Sequence, residues 1–217
     1  MDWKKGPSLY RILGVGPDAT RAGIKEAYRR QMRLAHPDVS FEQGAEERAR
    51  QLNYAYKILS NDAARAQYDR ERGITVSPSP EGDYTHIREA IEKARPGARI
   101  CVRPGLYRES LILNKRLEIV GDGPVAEIII EGVGSSCIQM HTDQATVSKL
   151  TLRGRAGENN ESYPAVWIPG GQLVLKDCHI ESESGTGVTV SGAGADPVIR
   201  NCRVHSTKGN GLYFLNN

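Results

Sequence analysis

Apolar and polar residues follow two different periods along this chain, and the change comes in its second quarter. Up to residue 73, apolar residues recur at the three-to-four-residue spacing of helices. Beyond residue 97 the chain becomes short β-branched segments that alternate with polar residues and are separated by Gly, Asn and Asp. This pattern predicts a helical domain over residues 1–73, a Pro/Ser/Gly-rich linker over 74–83 and an all-β domain over 84–217.

Four helices are predicted in the first domain. Ser8 and Thr20 can cap the first two, and Ser60 or Asn61 can cap the fourth. Pro37 must end the second helix, because it lacks a backbone donor and disfavours the helical conformation of the preceding residue. The predicted inward side of the second helix consists of Ile24, Ala27, Tyr28, Gln31 and Leu34.

Cationic residues line another side of the second helix: Lys25, Arg29, Arg30 and Arg33. The tripeptide His36, Pro37 and Asp38 follows directly, and the proline places it in a loop. A rigid loop with one imidazole and one carboxylate, beside a cationic helix face, suits docking on a charged protein surface. The same residues, taken alone, also fit a solvated helix face and a simple helix terminator.

The charge balance indicates the kind of partner, and the cysteine content indicates the cellular compartment. Residues 1–75 hold 14 Lys/Arg against 10 Asp/Glu, a weak excess that suits an acidic protein better than nucleic acid. The four cysteines show no C-x-x-C spacing and no secretory signal precedes them, so we expect a reducing intracellular compartment, cytoplasmic or an organelle after processing. No apolar run reaches the length of a membrane span.

The segments "YRILGV", "HPD", "LNYAYKILS" and "ARAQYDRERG" come in an order that resembles the J-domain of DnaJ-type co-chaperones across residues 8–73. The resemblance implies docking on a DnaK-type 70-kDa heat-shock chaperone and stimulation of its ATP hydrolysis, with His36, Pro37 and Asp38 as the indispensable triplet. Three positions depart from the usual pattern: Gly23 lacks a capping carboxylate, Gln31 interrupts the inward stripe, and Ala35 replaces an aromatic residue.

The second domain contains a repeat. The segments "CIQM", "AVWI", "GVTV" and "GLYF" are offset by 28, 22 and 24 residues, the spacing of coils in a solenoid. We predict a right-handed parallel β-helix whose first open end is covered by a helix over residues 85–95. "GNGLYFLNN" stops within a coil, so we expect either a longer native chain or a partner over that end.

Alternation sorts the coil residues into two faces. Residues 138, 140, 166, 168, 188, 190, 212 and 214 are predicted to point inward. The outward file of Gln139, Trp167, Thr189 and Tyr213 is a candidate face for a client or partner, unless loops or the helical domain cover it. Val174 and Val198 are also predicted to point outward, and they too are candidates for a hidden contact.

Two of the cysteines raise the question of metal binding. Cys178 and Cys202 fall in matching inward positions, whereas the adjacent His179 and Arg203 face out. Cys and His, including His205, therefore cannot converge on one ion without breaking a strand. We expect a core cysteine ladder, with no metal, disulfide or cofactor.

Residues 83–217 also resemble pectin-lyase-like β-helices, mainly through "PG-x-Y-x-E" in "PGLYRE" and the coil period. A hydrolytic site would need convergent carboxylates or a carboxylate beside an arginine, and no such constellation is evident around Asp143, Asp177, Asp196, Arg153 or Arg155. We expect a co-chaperone without catalysis of its own, with the β-helix as client-binding or targeting module. Two alternatives stay open: a carbohydrate-binding or carbohydrate-active β-helix with an accessory J-domain, and a structural subunit with a vestigial one.

Overall fold

The computed structural model describes residues 7–35, 44–79, 82–158 and 161–215. It divides the chain into two compact units, Met1–Gly73 and Ile74–Asn217. The first unit is helical. The second is built from parallel strands.

The helical unit contains α1 (Leu9–Leu13), α2 (Arg21–Ala35), α3 (Ala45–Leu59) and α4 (Asp62–Arg72). Their ends follow the predicted caps: the Ser8 hydroxyl accepts from the Arg11 N–H at 3.1 Å, and the Asn61 side chain accepts from the Ala64 N–H at 3.0 Å. Gly14 ends α1 in the left-handed conformation, with φ of 71°. One buried apolar cluster joins the four helices.

The inward side of α2 differs from the prediction at one position. Leu34 is 67% exposed, whereas Ala35 is only 3% exposed and packs in the helical core. The reason is helical geometry. Eleven residues complete about three turns, so Ala35 returns to the side of Ile24, while Leu34 lies about 80° away around the axis.

The second unit is a parallel β-solenoid of about six turns, with three sheets. Sheet A contains β1 (Ile74–Val76), β2 (Ala98–Val102), β5 (Leu117–Gly121), β8 (Gln144–Ser148), β11 (Gln172–Lys176) and β14 (Val198–Arg200). Sheet B contains β3 (Gly105–Tyr107), β6 (Ile128–Val133), β9 (Thr151–Arg155), β12 (His179–Ser182) and β15 (Arg203–Ser206). Sheet C contains β4 (Leu111–Leu113), β7 (Ile138–Met140), β10 (Val166–Ile168), β13 (Val188–Val190) and β16 (Leu212–Phe214).

Strand register in sheet C confirms the predicted repeat. Val166 pairs with Ile138 on one side and with Val188 on the other, and Val188 pairs with Leu212. The predicted inward residues are buried from β7 to β13. In β16, however, Leu212 and Phe214 are 45% and 56% exposed, because no further strand pairs with β16 among the described residues.

The stretch predicted as a linker contributes to the solenoid. Ile74–Val76 forms β1, which pairs in parallel with Ile100–Val102 of β2. Its β-branched residues suit a strand, a preference that the Pro, Ser and Gly residues after it obscure. A helix follows, α5 (Ile87–Lys93), which packs on the first strands with Ile87, Ala90 and Ile91 buried.

Candidate functional site

The outer side of α2 carries a cationic surface. Lys25, Arg29, Arg30 and Arg33 are all exposed, and none of them has a carboxylate partner among the residues that the structure describes. We call these four residues the α2 basic face. The predicted triplet His36, Pro37 and Asp38 lies outside the described residues.

Contacts with α3 fix which side of α2 is outward. The Tyr28 ring stacks on Tyr56 with centroids 4.2 Å apart, and its hydroxyl donates to the Asn53 side chain at 2.7 Å. Gln31 accepts a hydrogen bond from Arg48 at 3.2 Å. Gln31 therefore bridges α2 to α3 instead of weakening their contact, and the α2 basic face is left exposed.

A buried polar network fastens α4 to α1. The Tyr10 hydroxyl donates to Asp69 at 2.7 Å and accepts from the Arg65 Nε at 2.8 Å, while a second Arg65 nitrogen reaches the Pro17 carbonyl at 2.9 Å. The Tyr68 hydroxyl accepts from the Leu9 N–H at 2.9 Å. The spacing of Arg65, Tyr68 and Asp69 in "ARAQYD" thus has a physical basis, since about one turn of α4 supplies three side chains to α1 and the loop after it. Sequence reasoning did not assign these roles.

Comparison with known proteins assigns this helical unit. The sequence model of the DnaJ domain matches residues 8–69. Residues 8–69 form a DnaJ domain. The chain is 54% identical over 77 residues to a protein named chaperone protein DnaJ from Gloeothece citriformis, covering 35% of this chain and 20% of that protein. For the protein of the same name from Hydrogenobacter thermophilus, identity is 38% over 95 residues, or 44% of this chain and 27% of that protein.

The similarity covers only part of this chain and only part of each relative. A third relative of that name, from Synechococcus sp. (strain JA-3-3Ab), is 54% identical over 68 residues, which is 30% of this chain and 17% of that protein. The chain thus spans less than a third of the length of these curated relatives. The whole β-solenoid, from Ile74 onward, lies beyond the DnaJ domain match, and its role has to be argued from its own residues.

The four outward residues predicted from the repeat lie in register on successive coils. Trp167 pairs in register with Gln139 and Thr189, and Thr189 pairs with Tyr213. Register adds a fifth member that the sequence repeat did not reveal: Ile112, paired with Gln139 and 51% exposed. We call these five side chains the sheet C file.

Trp167 is held in place within the sheet C file. Its indole N–H donates to the Ser191 hydroxyl at 2.9 Å, and its ring meets the His141 ring edge-on, with centroids 5.8 Å apart and planes at 83°. The indole is half-buried. Its polar atom is already used within the protein, so the ring offers apolar area to a ligand.

Sheet B carries an ionic network that sequence reasoning missed. Arg155 pairs with Glu131 at 3.1 Å and with Glu183, Arg153 pairs with Glu181 at 2.9 Å, and Arg108 reaches Glu131 at 3.3 Å. The expectation that no carboxylate stands beside an arginine is therefore wrong, because strand register brings together residues 22 to 28 positions apart. A pocket of about 400 Å³ lies over this network and extends to His205.

Glu131 is the most enclosed member of this network. Its side chain is 9% exposed. Burial raises the pKa of Glu131, but hydrogen bonds from Arg155 and Arg108 outweigh burial, and the net pKa is lowered. The carboxylate is therefore held in its ionised form. Each arginine in the network already has a carboxylate partner. Ion pairs between neighbouring strands of this kind stabilise the stacking of coils.

Cys137 and Cys178 lie in the core of the solenoid, and Cys202 packs against it. Cys178 is fully buried and Cys202 is half-buried in the last described coil. Burial raises the pKa of Cys178 to about 12. No cluster of three or more metal-ligating side chains occurs within the described ranges. In the same ranges no helix combines the length and apolar character that crossing a bilayer requires.

Proposed function

We propose that this protein is a co-chaperone whose DnaJ domain docks on a DnaK-type 70-kDa heat-shock chaperone and stimulates its ATP hydrolysis. The observation that carries the proposal is the α2 basic face, which is exposed and unpaired within the described residues on a domain of the DnaJ family. Relatives that share this domain are named chaperone protein DnaJ. The name of these relatives supports the proposal that this chain has co-chaperone activity.

Each group has a distinct role in this proposal. The α2 basic face meets anionic groups on the ATPase, which steers association and fixes orientation. Asp38 pairs with a cation of the ATPase, and Pro37 restricts the backbone so that His36 and Asp38 keep their relative positions. The contacts of Tyr28 and Gln31 with α3 hold the α2 basic face in its orientation.

The solenoid supplies the choice of target in this proposal. The sheet C file offers aromatic and aliphatic area next to an amide and a hydroxyl, a composition suited to gripping a protein segment. The DnaJ domain then recruits the ATPase to whatever the solenoid holds. The DnaJ domain and the solenoid are separate units, so the two proposed activities can be measured separately.

The test is the rate of single-turnover ATP hydrolysis by a purified DnaK-type chaperone, with and without the intact protein. We expect His36→Gln to abolish the stimulation. Arg29→Ala should weaken it about 2- to 5-fold at low salt and less at high salt, because an exposed charge contributes under about 1 kcal/mol and is screened. Arg70→Ala on α4 is the matched control, since it removes an exposed arginine from another helix.

Three outcomes would overturn the proposal. The intact protein could fail to stimulate hydrolysis, which favours a vestigial DnaJ domain. His36→Gln could leave the stimulation unchanged. Arg70→Ala could lower the stimulation as much as Arg29→Ala, which would show that only total charge matters. Circular dichroism of each variant checks that the four helices are intact.

A further inference from the structure

The sheet C file is uncharged along its whole length, unlike its counterpart on sheet B. Its five side chains on successive coils are Ile112, Gln139, Trp167, Thr189 and Tyr213. The corresponding outward column of sheet B consists of Glu131, Arg153, Glu181 and His205, in register on successive strands. A ligand of the sheet C file is therefore recognised by apolar contact and neutral hydrogen bonds.

Apolar and polar side chains alternate along the sheet C file. Ile112, Trp167 and Tyr213 occupy every second coil, and Gln139 and Thr189 stand between them. Parallel strands lie about 4.8 Å apart. The apolar members therefore recur about every 9.6 Å along the solenoid axis, twice that strand spacing. Ile112 and Tyr213, at the two ends, are 51% and 43% exposed.

This spacing matches one regular conformation of a polypeptide. A polyproline II helix rises about 3.1 Å per residue with three residues per turn, so side chains on one side recur about every 9.3 Å. In an extended strand, side chains on one side recur about every 6.6 Å, which fits neither one coil nor two. The axial repeat of the sheet C file thus favours a polyproline II ligand over a β-strand.

The chemistry of the file agrees with its spacing. A polyproline II helix has no internal hydrogen bonds, so its carbonyls are free to accept from side-chain donors. Gln139 and Thr189 place an amide and a hydroxyl between the apolar members. Trp167 cannot donate its indole N–H to a ligand, because Ser191 already accepts it, so the ring acts through its surface. Aromatic-lined grooves recognise proline-rich segments in this way.

We propose that the sheet C file binds a proline-rich polypeptide segment in the polyproline II conformation, running along the solenoid axis. Prolines or aliphatic residues at positions i, i+3 and i+6 contact Ile112, Trp167 and Tyr213. Gln139 and Thr189 donate to carbonyls of the residues between. This inference rests on the solenoid as the target-selecting module of the proposed function, and it does not depend on chaperone docking.

Isothermal titration of the full chain with the peptide (Leu-Pro-Pro)3 tests the proposal. We expect saturable binding, weakened about tenfold or more by Trp167→Ala because a central aromatic carries much of such an interface. Tyr213→Ala should weaken binding less. Val174→Ala is the matched control, since Val174 is a half-buried outward residue on sheet A, and it should bind like the unchanged protein.

A second peptide tests whether the spacing of the ligand's side chains has to match the spacing of alternate coils. In (Leu-Pro-Pro-Pro)3 the leucines recur every four residues, about 12.4 Å apart at the polyproline II rise, and no longer match alternate coils. We expect its binding to be at least fivefold weaker. Equal binding of both peptides, no saturable binding by the unchanged protein, or an equal loss in Val174→Ala would overturn the proposal.

Three further measurements keep the outcomes distinct. Urea unfolding of Trp167→Ala and Tyr213→Ala identifies a variant that has lost its fold, and the binding argument then uses the other. Saturable binding of cellohexaose with no binding of the peptides would replace the peptide assignment by a carbohydrate one. ATPase stimulation measured without peptide reports on the DnaJ domain alone, so failure of one proposal is separable from failure of the other.

Discussion

The carboxylate of Glu109 caps the helix that begins at Ile87. One oxygen accepts from the Ile87 N–H at 3.0 Å and the other accepts from the Arg88 N–H at 2.8 Å. Two residues earlier, the Tyr107 hydroxyl donates to the Arg103 carbonyl at 2.9 Å and lies 3.3 Å from the Val76 carbonyl. The segment "PGLYRE" thus anchors both β1 and α5 at the start of the solenoid.

We expect Glu109→Ala to lower the free energy of unfolding of the solenoid by about 1–3 kcal/mol, because it leaves two helix N-terminal donors without their acceptor, one of them buried. Urea unfolding followed by tryptophan fluorescence measures the change. Glu92→Ala removes an exposed carboxylate from the same helix and should change stability by less than about 0.5 kcal/mol. A similar loss in both variants would contradict the capping role.

The architecture could be predicted because both units repeat a simple pattern. Helical spacing and end-capping residues define α1 to α4, and the recurrence of "CIQM", "AVWI", "GVTV" and "GLYF" places Trp167 beside Gln139 and Thr189. The error at Leu34 arose because three-residue steps from Tyr28 drift away from the side of Ile24, to which the chain returns only at the next residue. Its neighbour Ala35 is buried instead.

The polar contacts could not be predicted in the same way. Glu131 lies in the segment "EIIIEG", which the repeat did not align, so its position beside Arg155 depended on a register that only the folded coils provide. Glu109 belongs to the segment "PGLYRE", through which the sequence resembles pectin-lyase-like β-helices, but the sequence did not show what Glu109 contacts. The N–H groups that it accepts from belong to a helix about 20 residues earlier. Pairing between distant backbone and side-chain groups leaves no periodic signal.

Lys149 adopts a backbone conformation that lysine disfavours. Its φ is 57°, and the equivalent turn residues one and two coils later, Asp177 and Asn201, have φ of 54° and 52°. The Asn201 amide donates to the Asp177 carboxylate at 3.2 Å. Asn and Asp tolerate the left-handed region better than lysine does, because their short polar side chains bond locally.

We therefore expect Lys149→Asn to raise the free energy of unfolding by about 0.5–1 kcal/mol, because asparagine adopts the left-handed conformation at a lower cost than lysine does. Urea unfolding measures the gain. Lys176→Asn is the control, because it makes the same chemical change in a residue whose φ is negative. An equal gain in both variants would indicate an effect of charge, and no gain at Lys149 would indicate that the turn carries no strain.

The carboxylate of Glu131 makes the stability of the solenoid depend on pH. Its pKa is lowered in the folded protein, since the hydrogen bonds from Arg155 and Arg108 outweigh the opposing effect of burial. The unfolded chain then binds more protons than the folded one near the ordinary glutamate pKa of about 4. The stabilisation is fully present above that pH and is lost as pH falls through the lower folded pKa.

We expect Glu131→Gln to lower the free energy of unfolding by about 1–3 kcal/mol at pH 7, because charge-assisted hydrogen bonds to two arginines become weaker neutral ones. The difference from the unchanged protein should shrink below about pH 4, where the native carboxylate protonates as well. Urea unfolding at pH 7, 5 and 3 measures it. Glu118→Gln should have little effect at any pH, since Glu118 lies 3.8 Å from Arg99 and both side chains are over 40% exposed. A loss at Glu131 that is the same at all three pH values would mean that packing of the side chain, and not its charge, holds β6 to β9.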